Sequence, residues 1–160
     1  MAIKGRRLRK DDVAPNFRLK QLDGGEFSLS ESLVAGPVLV VFYKVSCPTC
    51  QFTFPYLERI ARQTSIPFFG ISQDDAQGTR EFREDFEITF PSLLDGRSQG
   101  YPVSNEFGIT HVPTIYLIEE DRRISWDSDG FSKADLEQLG ERTGFKPFRE
   151  SEAVPAFKAG

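Results

Sequence analysis

The residues in this sequence that carry chemistry are two cysteines, Cys47 and Cys50, separated by Pro48 and Thr49. They are the only cysteines in 160 residues. A secreted disulfide scaffold uses more of them, spread further apart. A bridge across two residues closes almost no loop, so it adds little stability on the chain-entropy account. A pair at this spacing reads as one that is oxidised and reduced. The thiolate is the nucleophile, and a free thiol titrates near pH ~8.5. If a helix starts at Pro48, its unpaired N–H groups and dipole face the sulfur of Cys47. Cys47 is therefore expected to be the more acidic, attacking thiol. Cys50 lies one turn inside, on the same face and under more cover, which suits a resolving thiol. The chemistry would then run in two steps. Cys47 attacks a substrate disulfide, and Cys50 displaces the reduced substrate from the mixed disulfide. Lys44, three residues before Cys47, either adds positive charge there or simply extends to solvent.

Other uses of a CxxC fit less well. A closed zinc site needs four ligands, and beside the two cysteines the chain has one histidine, His111. A c-type haem needs His directly after the second cysteine, where Gln51 stands. A second element, Gly108-Ile109-Thr110-His111-Val112-Pro113-Thr114, precedes the apolar run Ile115–Ile118. Proline suits the first position of a strand because it has no N–H to give the ladder. Pro113 either follows a trans bond and merely opens that strand, or follows a cis bond in a turn against the cysteines. In the second case the turn exposes the Val112 backbone to an extended substrate. His111 is read as a partly exposed loop residue, with proton transfer as the alternative.

Positioning these residues requires a strand, a helix and a second strand. Pro37–Tyr43 is a continuous β-branched and aromatic run, the pattern of a strand buried on both faces. Pro48 is tolerated in a first helical turn, and Phe54, Leu57, Ile60 and Ala61 repeat at helical spacing. Pro55 predicts a kink in that helix. Short extended pieces are expected at Phe17–Leu22 and Glu26–Leu29, around a Gly24-Gly25 turn. A second buried strand is expected at Ile66–Ser72, a charged helix within Asp74–Glu87 and a short strand at Phe90–Leu94. A helical turn at Ser104–Phe107 is followed by a hairpin of Thr114–Ile118 with Arg122–Trp126. A last helix is capped by Ser132 and ended by Gly144. Such strand–helix alternation is an α/β pattern. Residues 1–12 read as a flexible basic tail carrying Lys4, Arg6, Arg7, Arg9 and Lys10. Residues 13–145 form the domain, and 146–160 read as an extended or disordered tail.

Composition bounds the rest. The chain is 39% hydrophobic and 28% charged, with 15 Phe along its length, which describes a globular domain rather than a disordered one. Its net charge of -4 argues against a dedicated nucleic-acid binder. The longest apolar run falls far short of the ~20 residues of a bilayer helix. Met1–Lys10 is basic without an apolar centre, so no signal peptide is read, and a cytoplasmic location is expected.

The strand Val38–Tyr43, the CxxC, Phe54-Pro55 in the helix after it, and Val112-Pro113-Thr114 before a strand together resemble the thioredoxin-like fold. Ala14-Pro15-Asn16-Phe17 and the charged segment 74–104 more narrowly resemble the redoxin group. That group holds TlpA/ResA-type thiol-disulfide oxidoreductases and the AhpC/TSA peroxiredoxins. The resemblance implies a central mixed β-sheet flanked by helices, a redoxin-type β-α insertion and an N-terminal β-hairpin. It implies a nucleophilic Cys47, a resolving Cys50 and a cis Pro113, with Val112, Pro113, Pro48 and Thr49 touching substrate. Disulfide-bearing protein substrates and a recycling thiol reductant are the implied partners. No metal or organic cofactor is expected, and the protein is expected to be a monomer or weak homodimer. The alternative is a peroxiredoxin-like thiol peroxidase with Cys47 peroxidatic. The chain departs from the pattern of each of these groups. Where peroxiredoxins place a Thr it has Lys44, and it lacks their Arg before a late strand. Where thioredoxins bury an Asp it has Val41, and where ResA-like proteins place a Glu it has Thr53.

Overall fold

The computed structural model describes residues 6–160. Its centre is strand β3, Val38–Tyr43, all six residues of which are buried. The apolar run requires this, because the strand has covered faces and a partner on each edge. It pairs in parallel with β4 (Phe68–Ser72) and antiparallel with β6 (Thr114–Ile118). Around it the sheet runs in the order β2-β1-β5-β4-β3-β6-β7, with β1 at Arg18–Gln21, β2 at Glu26–Ser28, β5 at Ser92–Leu94 and β7 at Ile124–Asp129. Parallel strands need crossovers. Helix α2 (Pro48–Ala61) connects β3 to β4, and α3 (Ala76–Asp85) connects β4 to β5. The short α4 (Pro102–Phe107) leads towards β6, and α5 (Lys133–Thr143) follows β7, capped by Ser132 and ended by Gly144 in the left-handed conformation. Helix α2 continues through Pro55.

One helix departs from the sequence reading. Leu29, expected to end a strand, opens the short helix α1 (Leu29–Leu33), whose N-cap Ser28 accepts from the Glu31 N–H. The Ser28–Glu31 spacing is that of a capping box, which was the available signal.

Both ends of the chain depart from expectation too. Lys4, part of the basic tail, lies outside the described residues. From residue 6 onward the segment is packed. Leu8 is buried, and its N–H donates to the Phe107 carbonyl at 2.9 Å. Arg6 holds Asp12 through two bonds of 3.0 and 3.2 Å, and Arg7 reaches Asp127 at 3.2 Å. Both acidic groups that these arginines meet belong to the chain itself. At the other end, residues 146–160 return along α2 and the site rather than hanging free. Phe148 packs on Tyr56 with ring centres 4.9 Å apart. Arg59 clamps Glu152 with bonds of 2.7 and 2.9 Å. Phe157–Lys158 then pairs as β9 with Phe131–Ser132, β8. Single contacts made one residue at a time leave no periodic pattern to read.

The core is aromatic where it supports the cysteines. The Tyr43 ring sits 4.5 Å from that of Phe54 and 5.0 Å from that of Phe82, and its hydroxyl meets the Ser92 hydroxyl at 2.7 Å. Gly70 makes this possible. A Cβ there would stand 2.8 Å from Tyr43 Cε1 and 2.9 Å from Ser92 Oγ. Gly70→Ala should therefore destabilise the fold by about 1–3 kcal/mol, the usual cost of overpacking. Chemical denaturation should show a lower midpoint with an unchanged slope.

Candidate functional site

Strand β3 ends at Tyr43, and the chain turns through Lys44, Val45 and Ser46 before α2 begins. The Cys47 N–H donates to the Lys44 carbonyl at 3.2 Å, closing that turn. The Gln51 side chain donates to the Val45 carbonyl at 2.9 Å, and the Val45 N–H donates to the Asp74 carboxylate at 2.8 Å. Asp74 thus braces the turn. Sequence reading placed it only within a charged segment. The register supplies the missing signal: Tyr43 stands beside Ser72 in the parallel pair, so two residues further on Val45 meets Asp74.

Cys47 is the N-cap of α2, and its sulfur accepts the Cys50 N–H at 3.3 Å. This is the donor geometry expected where a helix N-terminus presents free N–H groups. Cys47 is half-buried, whereas Cys50 is fully buried, and both are free thiols. Burial pushes the Cys50 thiol far above its ordinary value. The Lys44 backbone N–H pulls the other way, while Cys47 and the negative charge of Asp74 add to the rise. Val41, at the strand position where thioredoxins bury an Asp, is buried and its side chain has no proton-accepting group. Thr53 is buried too, and its hydroxyl donates to the Thr49 carbonyl at 2.7 Å, inside the helix. Asp74 is the acid whose charge reaches Cys50.

The second element arrives from β6. Phe42 is paired with Thr114, so the residues preceding Thr114 stand where β3 gives way to the cysteine turn. The Val112–Pro113 bond is cis, and the Cys47 thiol lies 3.5 Å from the Val112 carbonyl oxygen, to which it can donate. Val112 and Pro113 are buried, Pro48 is exposed and Thr49 is half-buried. These four residues and both cysteines therefore gather at one end of the sheet. Two other residues do not join them in bonding. Lys44 is exposed, and the exposed His111 pairs through Nδ1 with the Thr110 hydroxyl at 3.0 Å. Sequence reading missed Gly130 and Phe131. They pack beside these residues: the Gly130 N–H donates to the Pro113 carbonyl at 2.9 Å and Phe131 packs edge-on against Phe52 at 4.8 Å.

The chain is similar to known proteins in sequence and in fold. The chain is 27% identical over 131 residues to the thiol-disulfide oxidoreductase ResA of Geobacillus thermodenitrificans, covering 79% of this chain and 73% of that one. It is 33% identical over 109 residues to the chloroplastic peroxiredoxin Q of rice (Oryza sativa subsp. japonica), covering 64% of this chain and 48% of the relative. The thioredoxin domain of a thiol-disulfide oxidoreductase from Bacteroides vulgatus superposes with a TM-score of 0.73 at 22% identity, over 84% of this chain and 97% of that domain. The fold is therefore thioredoxin-like, with a seven-stranded mixed sheet. Residues 11–127 match the AhpC/TSA family. On that match, which spans most of the sequence, the chain belongs to the AhpC/TSA family.

Proposed function

We propose that this oxidoreductase exchanges disulfides with protein substrates through Cys47 and Cys50. The observation that carries the reading is the contrast between the two sulfurs. One is reachable at a helix start, with an N–H donated to it, and the other is sealed one turn inside. In the first step the Cys47 thiolate attacks one sulfur of the substrate disulfide. A mixed disulfide forms and the other substrate sulfur leaves as thiolate. In the second, Cys50 loses its proton and attacks Cys47 Sγ, forming the Cys47–Cys50 disulfide and releasing the second substrate thiolate. Two electrons pass to the substrate, and a thiol reductant returns them to the pair. Pro48, Thr49, Val112 and Pro113 line the place where the substrate chain lies. In a reducing compartment such as the cytoplasm the pair rests as dithiol, so electrons flow towards the substrate.

Cys50→Ser should accumulate mixed disulfides through Cys47, whereas Cys47→Ser should trap far less. Non-reducing electrophoresis after incubation with a disulfide-bearing protein reads the difference. Equal trapping by both variants would remove the assignment of roles.

The resolving step also has a pH signature. Cys50 is held protonated at neutrality, because its thiol is raised by burial. Only the thiolate attacks, so the rate of resolution should climb about tenfold per pH unit from neutrality to mildly alkaline pH. Rapid mixing of a pre-formed mixed disulfide measures it, and a flat profile would point to a proton acceptor that acts before resolution.

Similarity to peroxiredoxin Q supports a second reading, thiol peroxidase with Cys47 peroxidatic. Lys44 stands where peroxiredoxins place Thr, and no Arg lies between Gly108 and Ile118. Neither polarising group is therefore available to peroxide. Stoichiometric peroxide should oxidise the reduced protein slowly, while insulin disulfides are reduced rapidly. The opposite order of rates would favour the peroxidase.

A further inference from the structure

The place beside Cys47 given above to the substrate chain already holds a segment of this protein, residues 156–160. The Thr49 hydroxyl donates to the Ala159 carbonyl at 2.6 Å. Gly160 is seated directly against the Val112 carbonyl, leaving no room for a Cβ. That carbonyl is also the one the Cys47 thiol faces. Two of the four positions assigned to substrate, Thr49 and Val112, are therefore in contact with the protein's own backbone. Further back, Phe157 and Lys158 pair with Ser132 and Phe131 in antiparallel register, and the Lys133 N–H donates to the Ala156 carbonyl at 3.0 Å. The Lys158 ammonium lies 4.9 Å from the Phe52 ring centre. Gly130 is shaped to the segment as well. It has a positive φ of 64°, and a Cβ on it would stand 2.6 Å from the Lys158 carbonyl.

We propose that residues 156–160 are a resident occupant of the substrate groove, and that an extended, disulfide-bearing polypeptide docks by strand exchange, pairing with β8 in place of β9. The exchange rests on the oxidoreductase reading, whereas the occupancy does not. The chemistry of the hold fits a replaceable segment. Main-chain hydrogen bonds supply it, and any extended chain can offer the same ones. Residues 155–160 are all exposed, so little apolar burial resists their release. Upstream, the Arg59–Glu152 clamp and the packing of Phe148 on Tyr56 keep the segment tethered when it lifts. The groove selects for an extended backbone, with a small residue where Gly160 meets Val112.

The test uses two variants of the 160-residue chain, each at an exposed position. Lys158→Pro removes a main-chain N–H and the cation over Phe52. Gly160→Val drives a side chain into the Val112 carbonyl. Retained amide protection in β3 checks that each variant is folded. Cys47 is then labelled with a bulky maleimide and with iodoacetamide, and the rates are read by mass spectrometry. In both variants the bulky probe should react several-fold faster than with the parent, while the small probe is little changed. For a disulfide peptide the KM should fall about tenfold at constant kcat, the change expected if the segment is in place about nine-tenths of the time. Unchanged bulky labelling, or equal acceleration of both probes, overturns the proposal. Faster bulky labelling without disulfide exchange in any form of the protein upholds the occupancy and overturns the oxidoreductase reading instead.

Discussion

The antiparallel register between β3 and β6 is the constraint on which the site depends. With Phe42 opposite Thr114, the strand that ends in the cysteine turn lies beside the strand that begins after Pro113. The Cys47 sulfur therefore faces the Val112 carbonyl across 65 residues of sequence. Neither segment alone makes a groove. A one-residue slip would turn every side chain of one strand to the other face. The rings on those strands oppose it. Phe42 meets Tyr116 edge-on at 6.1 Å and Phe107 at 5.1 Å, while Tyr43 is fixed across Gly70 by Ser92. Core packing and site geometry are here one interaction.

The parallel partner of β3 does a second job by the same logic. Extending the Tyr43–Ser72 pairing by two residues brings Asp74 to the Val45 N–H, so the turn before Cys47 is braced from β4. The cost is electrostatic, since Asp74 places a negative charge within reach of a thiol that burial already disfavours as an anion. The two sulfurs are thereby driven apart in character although they sit one helical turn apart. Burial holds one of them protonated, while the other, half-buried, receives a backbone N–H.

What could be read from the sequence follows from how each feature is encoded. The β3 run, the start of α2 at Pro48, and the caps at Ser132 and Gly144 are local signals, and they stand where the residues put them. The gathering of Val112 and Pro113 with the cysteines became legible through family resemblance, because spacing left a trans proline open. Asp74 was invisible for a different reason. Its role depends on a register between strands that only pairing defines. The packing of residues 6–12 and 146–160 escaped for a third. Leu8, Arg59 and Glu152 each act as a single anchor, and a single anchor has no period.

The segment 156–160 also answers a problem that the groove itself creates. A site that recognises main chain must present main-chain groups, and unpaired strand edges invite indiscriminate pairing. Strand β8 is two residues long and finds its partner only in β9 among the described residues. Without that partner, the edge at Phe131–Ser132 and the Val112 carbonyl would stand open beside Cys47. A segment held by hydrogen bonds covers both, and does so with the chemistry the substrate must match. The groove is then open only to a chain that replaces each of these bonds. Recognition is thereby coupled to exposure: the edge is uncovered when a competitor of the right shape is present to take it.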